Sequence, residues 1–410
     1  MADTARRETL DFEAGKVFTP AVPVSERELF SGRIEQLRRV FDAINQRGQH
    51  AIIFGERGVG KTSMANIIGA ILGQSQNTLA PRINCESNDD FGNLSKRILS
   101  QINLVKDQQN VGFQQGKRVR YVPAVEAVKG NVTLTSVVDL LGTLGTRQPV
   151  IIILDEFDRI RNKHTRTAVA DMVKALSDYS VPATLVLVGV GETVDTLIAE
   201  HRSIGRALVQ VKMPRMSTEE LNEILDKGGA KLTMHFSHDA KKKISFLSQG
   251  LPHYTHLLGL HAVRNAIQEG VDEVATNHVD DAIQKAVTDA QHSLQTDYRK
   301  AVSSSHQDSL YSQVLLACAL AETDEFGYFA ANDVCPPMAA IMKKQYDIPS
   351  FARHLASFST LERSSVLKKT GTKRRFRYRF TDPLMQPFVI MKGLADGKID
   401  PAVMDSLEKP

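Results

Sequence analysis

Four hundred and ten residues are more than one compact core usually takes up, so two or three domains are expected. With 42% hydrophobic and 24% charged residues, the composition is that of an ordinary folded protein and excludes wholesale disorder. The net charge is only +4, but residues 361–392 carry nine Lys or Arg against two acids, which points to a polyanionic partner for that end of the chain.

No apolar run approaches the roughly 20 residues that span a bilayer, and the opening MADTARRETLDFE lacks the apolar stretch of a secretory leader. Cys85, Cys318 and Cys335 are scattered and odd in number, which fits a reducing compartment. A cytoplasmic location without a membrane partner is therefore expected.

Residues 1–27 show no sustained periodicity and read as an N-terminal arm. From Arg33 a helix is predicted, with Ile34, Leu37, Val40, Phe41 and Ile44 on one face and Gly48 ending it. A short buried strand at 50–54 then leads through a Gly-rich turn into a helix from Thr62. A second strand is expected near 82–85 and a helix over 91–104, followed by a long surface loop at 105–131. Apolar strands at 150–154 and 184–190 alternate with helices at 136–144 and 167–179. Strands that are apolar throughout, separated by helices, indicate a parallel sheet covered on both faces, spanning 28–215.

The pattern turns helical over 216–302. Ser217 and Glu220 form a capping box, helices are predicted at 239–249 and 252–269, and a long polar helix starts at Asn277. After a Ser-rich stretch, residues 303–395 read as three helices and a basic hairpin around Thr370-Gly371-Thr372, the layout of a winged helix, leaving 396–410 as a tail. The fold class is thus α/β with a helical lid, followed by an α+β domain.

Two motifs carry chemistry. Gly55-Glu56-Arg57-Gly58-Val59-Gly60-Lys61-Thr62, followed by Ser63, fits G-x-x-x-x-G-K-[ST] between a strand and a helix. The glycines let consecutive N–H groups face phosphates, and the helix start adds its positive dipole end. In this pattern Lys61 bridges the β- and γ-phosphates and the Thr62 hydroxyl ligates Mg²⁺. The strand ending in Asp155-Glu156 supplies a second metal-holding group, the Asp155 carboxylate, and, at Glu156, a group to polarise the attacking water. ATP and Mg²⁺ are the expected cofactors and ATP hydrolysis the expected reaction. In the basic hairpin, Arg374, Phe376, Tyr378 and Phe380 alternate with Arg375, Arg377 and Arg379, while Lys368, Lys369 and Lys373 ring the tip. That charge suits the phosphates of duplex DNA, with the preceding helix (Arg353, His354) offered to a groove. A solvated edge strand carries similar charge.

With these motifs the chain resembles the AAA+ superfamily, in particular its initiator-like branch with origin-recognition ATPases and STAND-type regulators. The resemblance covers about residues 30–388. It implies that Phe30-Ser31-Gly32-Arg33 lines the adenine pocket, with Phe30 and Arg33 as contacts. It also implies that Glu192 or Thr193 takes the sensor-1 place, where the family's usual Asn is absent. Arg206, or less favourably Arg202, becomes an arginine finger for a neighbouring subunit. Pro252 and His253 form the sensor-2 turn, where the family often has Arg and this chain has His. Self-association through the ATP sites follows, with duplex DNA as one partner and a separately encoded effector protein as the alternative.

Overall fold

The computed structural model describes residues 2–24, 28–75, 77–108, 118–128, 130–191, 204–304, 309–324, 326–372 and 375–399. The chain forms two compact units, one of residues 23–56 and 61–213, the other of residues 1–22, 57–60 and 214–410. The opening helix α1 (Ala2–Val17) belongs to the second.

The first unit is an α/β layer structure. It contains α2 (Ile34–Asn45), β1 (His50–Gly55), α3 (Lys61–Gly73), β2 (Arg82–Asn84), α4 (Phe91–Ser100), β3 (Asn103–Gln108), β4 (Arg118–Pro123), α5 (Leu134–Gly145), β5 (Val150–Asp155), α6 (Lys163–Asp178), β6 (Ala183–Val190) and β7 (Leu208–Lys212). Five strands make one parallel sheet in the order β2-β5-β6-β1-β7. Alternate residues of the three central strands serve opposite faces, and both faces are buried, so the strands are apolar without alternation. Ile52, Ile152, Leu154, Leu185 and Leu187 face a core shared with Leu94 and Ile98 of α4, Leu141 of α5 and Val169 and Val173 of α6. On the other face, Ile153 approaches α3 at Gly69, where a Cβ would lie 3.8 Å from its Cδ1.

Two expectations are corrected here and one strand is added. Where a loop was expected from residue 105, residues 103–108 and 118–123 pair as the antiparallel strands β3 and β4, with Leu104 opposite Val122; residues 109–117 lie outside the described residues. The strand β7, not among the expected elements, alternates (LVQVK) as a half-exposed edge strand does. The helix predicted to reach 104 ends at Ser100, since Asn103 already pairs with Pro123.

The second unit holds α1, then α7 (Thr218–Lys231), β8 (His235–Phe236), α8 (His238–Ser248), α9 (Pro252–Glu269), β9 (Glu273–Val274), α10 (Thr276–Thr288) and α11 (His292–Val302). The Ser217–Glu220 capping box forms, with reciprocal bonds of 3.3 and 3.0 Å. Where one long polar helix was expected from Asn277, two occur, broken after Thr288. The supposed arm is also helical. Its residues lack periodicity, yet Arg264 pairs with Asp11 at 3.0 Å, Arg7 donates to the Gln268 carbonyl at 2.9 Å, and Phe18 is fully buried. Phe18 fills a hollow that only glycine permits: a Cβ on Gly228 would lie 2.4 Å from its ring and one on Gly259 2.9 Å. Helical glycine costs about 1 kcal/mol relative to alanine, which the buried ring offsets.

The same unit continues with α12 (Tyr311–Leu320), β10 (Phe329–Ala330), α13 (Cys335–Met342), α14 (Ile348–Phe358), β11 (Leu367–Thr370), β12 (Arg377–Phe380) and α15 (Met385–Ala395). The expected hairpin gains β10 as a third strand, in the order β10-β12-β11. Its turn requires Gly371, at φ 92°, because a Cβ there would lie 2.3 Å from the Arg375 carbonyl oxygen. No described helix is long and apolar enough to cross a membrane.

Two buried imidazoles tie each unit's stability to pH. His50 opens β1, and its Nδ1 accepts the Leu185 N–H at 2.9 Å; in the second unit the Nδ1 of His256 accepts the Thr19 N–H at 3.3 Å. Burial pushes each pKa down from 6.5 to about 4. The folded pKa is the lower one, so this stability is present above about pH 6.5 and is lost as pH falls toward 4. Between about pH 7.5 and about pH 5, each unit should lose about 2 kcal/mol from its histidine. Urea melts at the two pH values read this directly, and coincident midpoints would show that the imidazoles are not held neutral.

Candidate active site

The loop 55–60 leaves the C-terminal end of β1, the sheet edge at which open parallel sheets gather ligands. Gly55 sits at φ 157°, and a Cβ on it would meet the Met213 carbonyl oxygen at 2.4 Å. Gly58 and Gly60 take φ 88° and 92°, conformations a side chain would strain. The turn curls its backbone into the first turn of α3, which Lys61 opens, and places Val59 in the core at 0% exposure. Lys61 is 8% exposed and its Nζ donates to the Glu56 carbonyl at 2.6 Å, which holds the ammonium across its own loop. Thr62 is half-buried beside it, and the Ser63 hydroxyl accepts the Val24 N–H at 3.1 Å.

Parallel pairing brings the end of β5 to the same edge. Asp155 is 1% exposed; its Oδ1 accepts the Glu156 N–H at 2.9 Å and its Oδ2 a guanidinium N–H of Arg82 at 2.7 Å. Glu156 adopts φ 54°, a left-handed conformation rare for a residue with a side chain, and its carboxylate pairs with Arg159 at 2.7 Å. That pair is solvent-facing, so it is weak and readily exchanged. Asp158 accepts the Val190 N–H at 2.7 Å and pins the end of β6 next to this turn.

Other site residues predicted from sequence fall into three groups. Ser31 and Arg33 are buried at 3% and 2% ahead of α2, with Phe30 half-buried; Gly32 and Arg33 take φ 62° and 63°. Arg206 is exposed in the turn before β7, and its carbonyl accepts from the Gln49 side chain at 3.1 Å. His50 pairs with Leu208, so Arg206 lies by the N-terminal end of β1, opposite the edge that carries the loop. Glu192, Thr193 and Arg202 lie outside the described residues.

Within the second unit, the loop strip 57–60 meets the turn before α9. A Cβ on Gly60 would lie 3.9 Å from Pro252, and one on Gly58 3.2 Å from Leu384, while Arg57 pairs with Asp382 at 3.5 Å. His253 bonds the Pro20 carbonyl at 2.8 Å through Nδ1, which must therefore carry the proton, and burial lowers its pKa. The imidazole is neutral at neutral pH and is no counterpart of a permanent cation.

In the basic hairpin, the alternation read from sequence is present: Tyr378 and Phe380 are buried, Arg377 is exposed and Arg379 half-buried. Some of its charge is already engaged. Arg377 pairs with Asp324 at 2.9 Å, Arg379 stacks on Tyr328 at 4.9 Å, and the Lys369 ammonium sits 3.6 Å from the centre of the Phe376 ring. Lys368, Lys369 and Arg375 are exposed; Lys373 and Arg374 lie outside the described residues. One expectation is overturned, since His354 is 2% exposed and packs edge-on against Tyr311 at 4.6 Å instead of facing a groove. Sequence reasoning missed Arg82, Asn66 and Arg159 as neighbours of the paired acids. Arg159 had a local signal, three residues after Glu156, whereas Arg82 in the short strand β2 and Asn66 in α3 had none beyond being polar.

Residues 30–188 match the AAA ATPase domain family. Among solved structures, the chain is similar to the Walker-type ATPase PABY2304 of Pyrococcus abyssi, at 17% identity and TM-score 0.52, covering 91% of this chain and 99% of that one. It is also similar to Cdc6p from Pyrobaculum aerophilum (13% identity, TM-score 0.45, 94% and 99% covered). A third is the Aeropyrum pernix Orc1 protein in complex with DNA (14% identity, TM-score 0.45, 93% and 97% covered). No curated protein matches the sequence. The domain match, together with a parallel sheet bearing the phosphate-loop motif at its edge, makes residues 30–188 a P-loop ATPase domain of the AAA+ type.

Proposed function

We propose that this chain is a Mg-ATP-dependent AAA+ ATPase that self-associates through its nucleotide sites and acts on DNA through its C-terminal domain. The observation that carries the reading is the convergence of the Gly55–Thr62 loop and Asp155-Glu156 on one sheet edge. The donor set fits the cofactor. Glycines at positive φ leave backbone N–H groups for phosphate oxygens, and Thr62 with Asp155 offers the hard oxygen ligands that Mg²⁺ prefers. Bound metal would neutralise charge on the phosphoryl oxygens. The chain's own groups do the rest. Lys61, once released from the Glu56 carbonyl, neutralises phosphate, and Glu156, once released from Arg159, orients and polarises water. Phe30 and Arg33 are assigned to the base. Pro252, beside the Gly60 strip, and His253 are assigned to sensing nucleotide as a neutral lid turn.

The domain reading is 28–215 for the ATPase core, 216–302 for the lid and 303–395 for a winged helix. DNA contact rests on the exposed Lys368, Lys369 and Arg375 and on the charge of the whole hairpin. Lys369, Arg377 and Arg379 each already have a partner that phosphate contact would have to displace. Replacing Lys368, Lys369 and Lys373 by Gln should lower the slope of log K against log[salt] by roughly 0.9 for each phosphate left without its cation. Two unrelated duplexes should weaken alike, because phosphate contacts carry no sequence information. Fluorescence anisotropy across a salt series measures both, and an unchanged slope removes the hairpin from the interface.

One observation favours the alternative, a STAND-like switch acting on a separate effector. A groove of about 700 Å³ beside the hairpin is lined by Ala331, Ile348, Ala352, Leu355 and Phe376, with Arg375 and Arg377 along it, a mostly apolar surface that would suit a protein partner. No binding of duplex at low salt, with ATP present, would decide for that reading.

A further inference from the structure

Asp155 has a resident counter-cation that the phosphate-loop motifs do not include. Arg82 stands opposite Ile153 in the β2–β5 register, two residues before Asp155 and therefore on the same face of the sheet. One amino group of its guanidinium holds Asp155 Oδ2 at 2.7 Å. The other donates to Asn66 Oδ1 on α3, the helix that opens with Lys61 and Thr62. Asn66 is oriented in turn, its Nδ2 donating to the carbonyls of Pro23 and Val24 at 3.4 and 3.3 Å. The strand beneath is also held. Gln101 accepts the Arg82 N–H and donates to the Arg82 carbonyl, both at 2.9 Å, which closes the free edge of β2. The guanidinium is thus fixed on two sides, against a carboxylate that is 1% exposed.

We propose that Arg82 is a positioning residue for the metal site: held by Asn66, it is the built-in cation of Asp155 and sets how strongly that carboxylate draws a divalent ion. The proposal rests on the reading of Asp155 as a metal-holding residue. Two cations on one buried carboxylate oppose each other, and removing one leaves a charge that the other must compensate. Arg82 therefore keeps the site weak for metal alone. Tight metal binding then awaits the additional negative charge of a nucleotide. The guanidinium also aims Oδ1 and Oδ2, so a metal that arrives with nucleotide meets a carboxylate already in place.

The test is Mn²⁺ binding to the full chain by electron paramagnetic resonance, with and without ADP. Without nucleotide, Arg82→Gln should bind Mn²⁺ at least about tenfold more tightly than wild type, the lower end of what an adjacent charge changes. Arg82→Lys, which keeps the charge, should stay close to wild type. Asn66→Ala, which loosens the guanidinium without deleting it, should shift affinity in the same direction by a smaller factor. Adding Asp155→Asn to Arg82→Gln should abolish the gain. If Arg82→Gln binds Mn²⁺ no more tightly than wild type while Asp155→Asn weakens binding with ADP, the role of Arg82 is overturned and the metal site stands. If Asp155→Asn changes nothing with ADP present, the metal-site reading itself fails. Should Arg82→Gln not fold, Asn66→Ala decides, and an unchanged affinity there overturns the proposal.

Discussion

Lys61→Ala should weaken ATP binding by roughly 100-fold, while Glu156→Gln should bind ATP normally and turn it over roughly 100- to 10,000-fold more slowly. The difference follows from where each group acts. Lys61 is a nearly buried ammonium held at 2.6 Å by a carbonyl of its own loop, so phosphate replaces a neutral acceptor with a charged one in the ground state. Glu156 acts on water, so its loss is felt in the transition state and leaves nucleotide affinity intact. Its left-handed backbone, φ 54°, aims the side chain at the end of β5, where Arg159 holds it at 2.7 Å. Equilibrium binding of a fluorescent ATP analogue and phosphate release, measured on both variants, separate the two effects. A Glu156→Gln protein that hydrolyses at the wild-type rate would sink the assignment of that residue.

Arg206→Ala should spare ATP binding and lower hydrolysis roughly a thousandfold, the scale on which a donated guanidinium contributes. Were Arg206 to contribute, its position relative to the sheet would require the contribution to come from another subunit. Arg206 lies by the N-terminal end of β1, and the six residues of that strand separate it from the loop by about 20 Å. A side chain cannot cross that distance, yet Arg206 is exposed and so accessible to a neighbour's site. Mixing Arg206→Ala with Lys61→Ala protein should then restore part of the activity, because one composite site in the mixed assembly is intact. ATP should promote self-association, visible by light scattering. A monomer in every nucleotide state, with no rescue on mixing, would refute donation in trans and favour a self-contained switch.

The placement of the two motifs was legible because it is local. The spacing from Gly55 to Thr62 sets a glycine turn between a strand and a helix, and an apolar run ending in Asp155-Glu156 announces a buried strand that delivers two acids to an edge. The alternation of Tyr378 and Phe380 with Arg377 and Arg379 likewise predicted which side chains turn inward. His354 was misread for want of context: a polar residue at one position of an amphipathic helix does not reveal that Tyr311 will cover it. The helix Ala2–Val17 was illegible because its own residues do not specify it; partners far along the chain, at Gln268 and Arg264, hold it in place.

By itself the sequence determined the parallel α/β core, the capping box at Ser217, the glycine-dependent turns and the identity of the paired motifs, since each depends on residues within one element or one turn. Tertiary structure alone decided the rest. It joined Arg82 to Asp155 across two strands 73 positions apart, placed Arg206 away from its own phosphate loop, made His50 and His256 neutral by burial, and committed Arg377 to Asp324. Charge pairing and desolvation depend on what lies within a few ångströms in space, and only the register of the sheet and the packing of the helices set that distance.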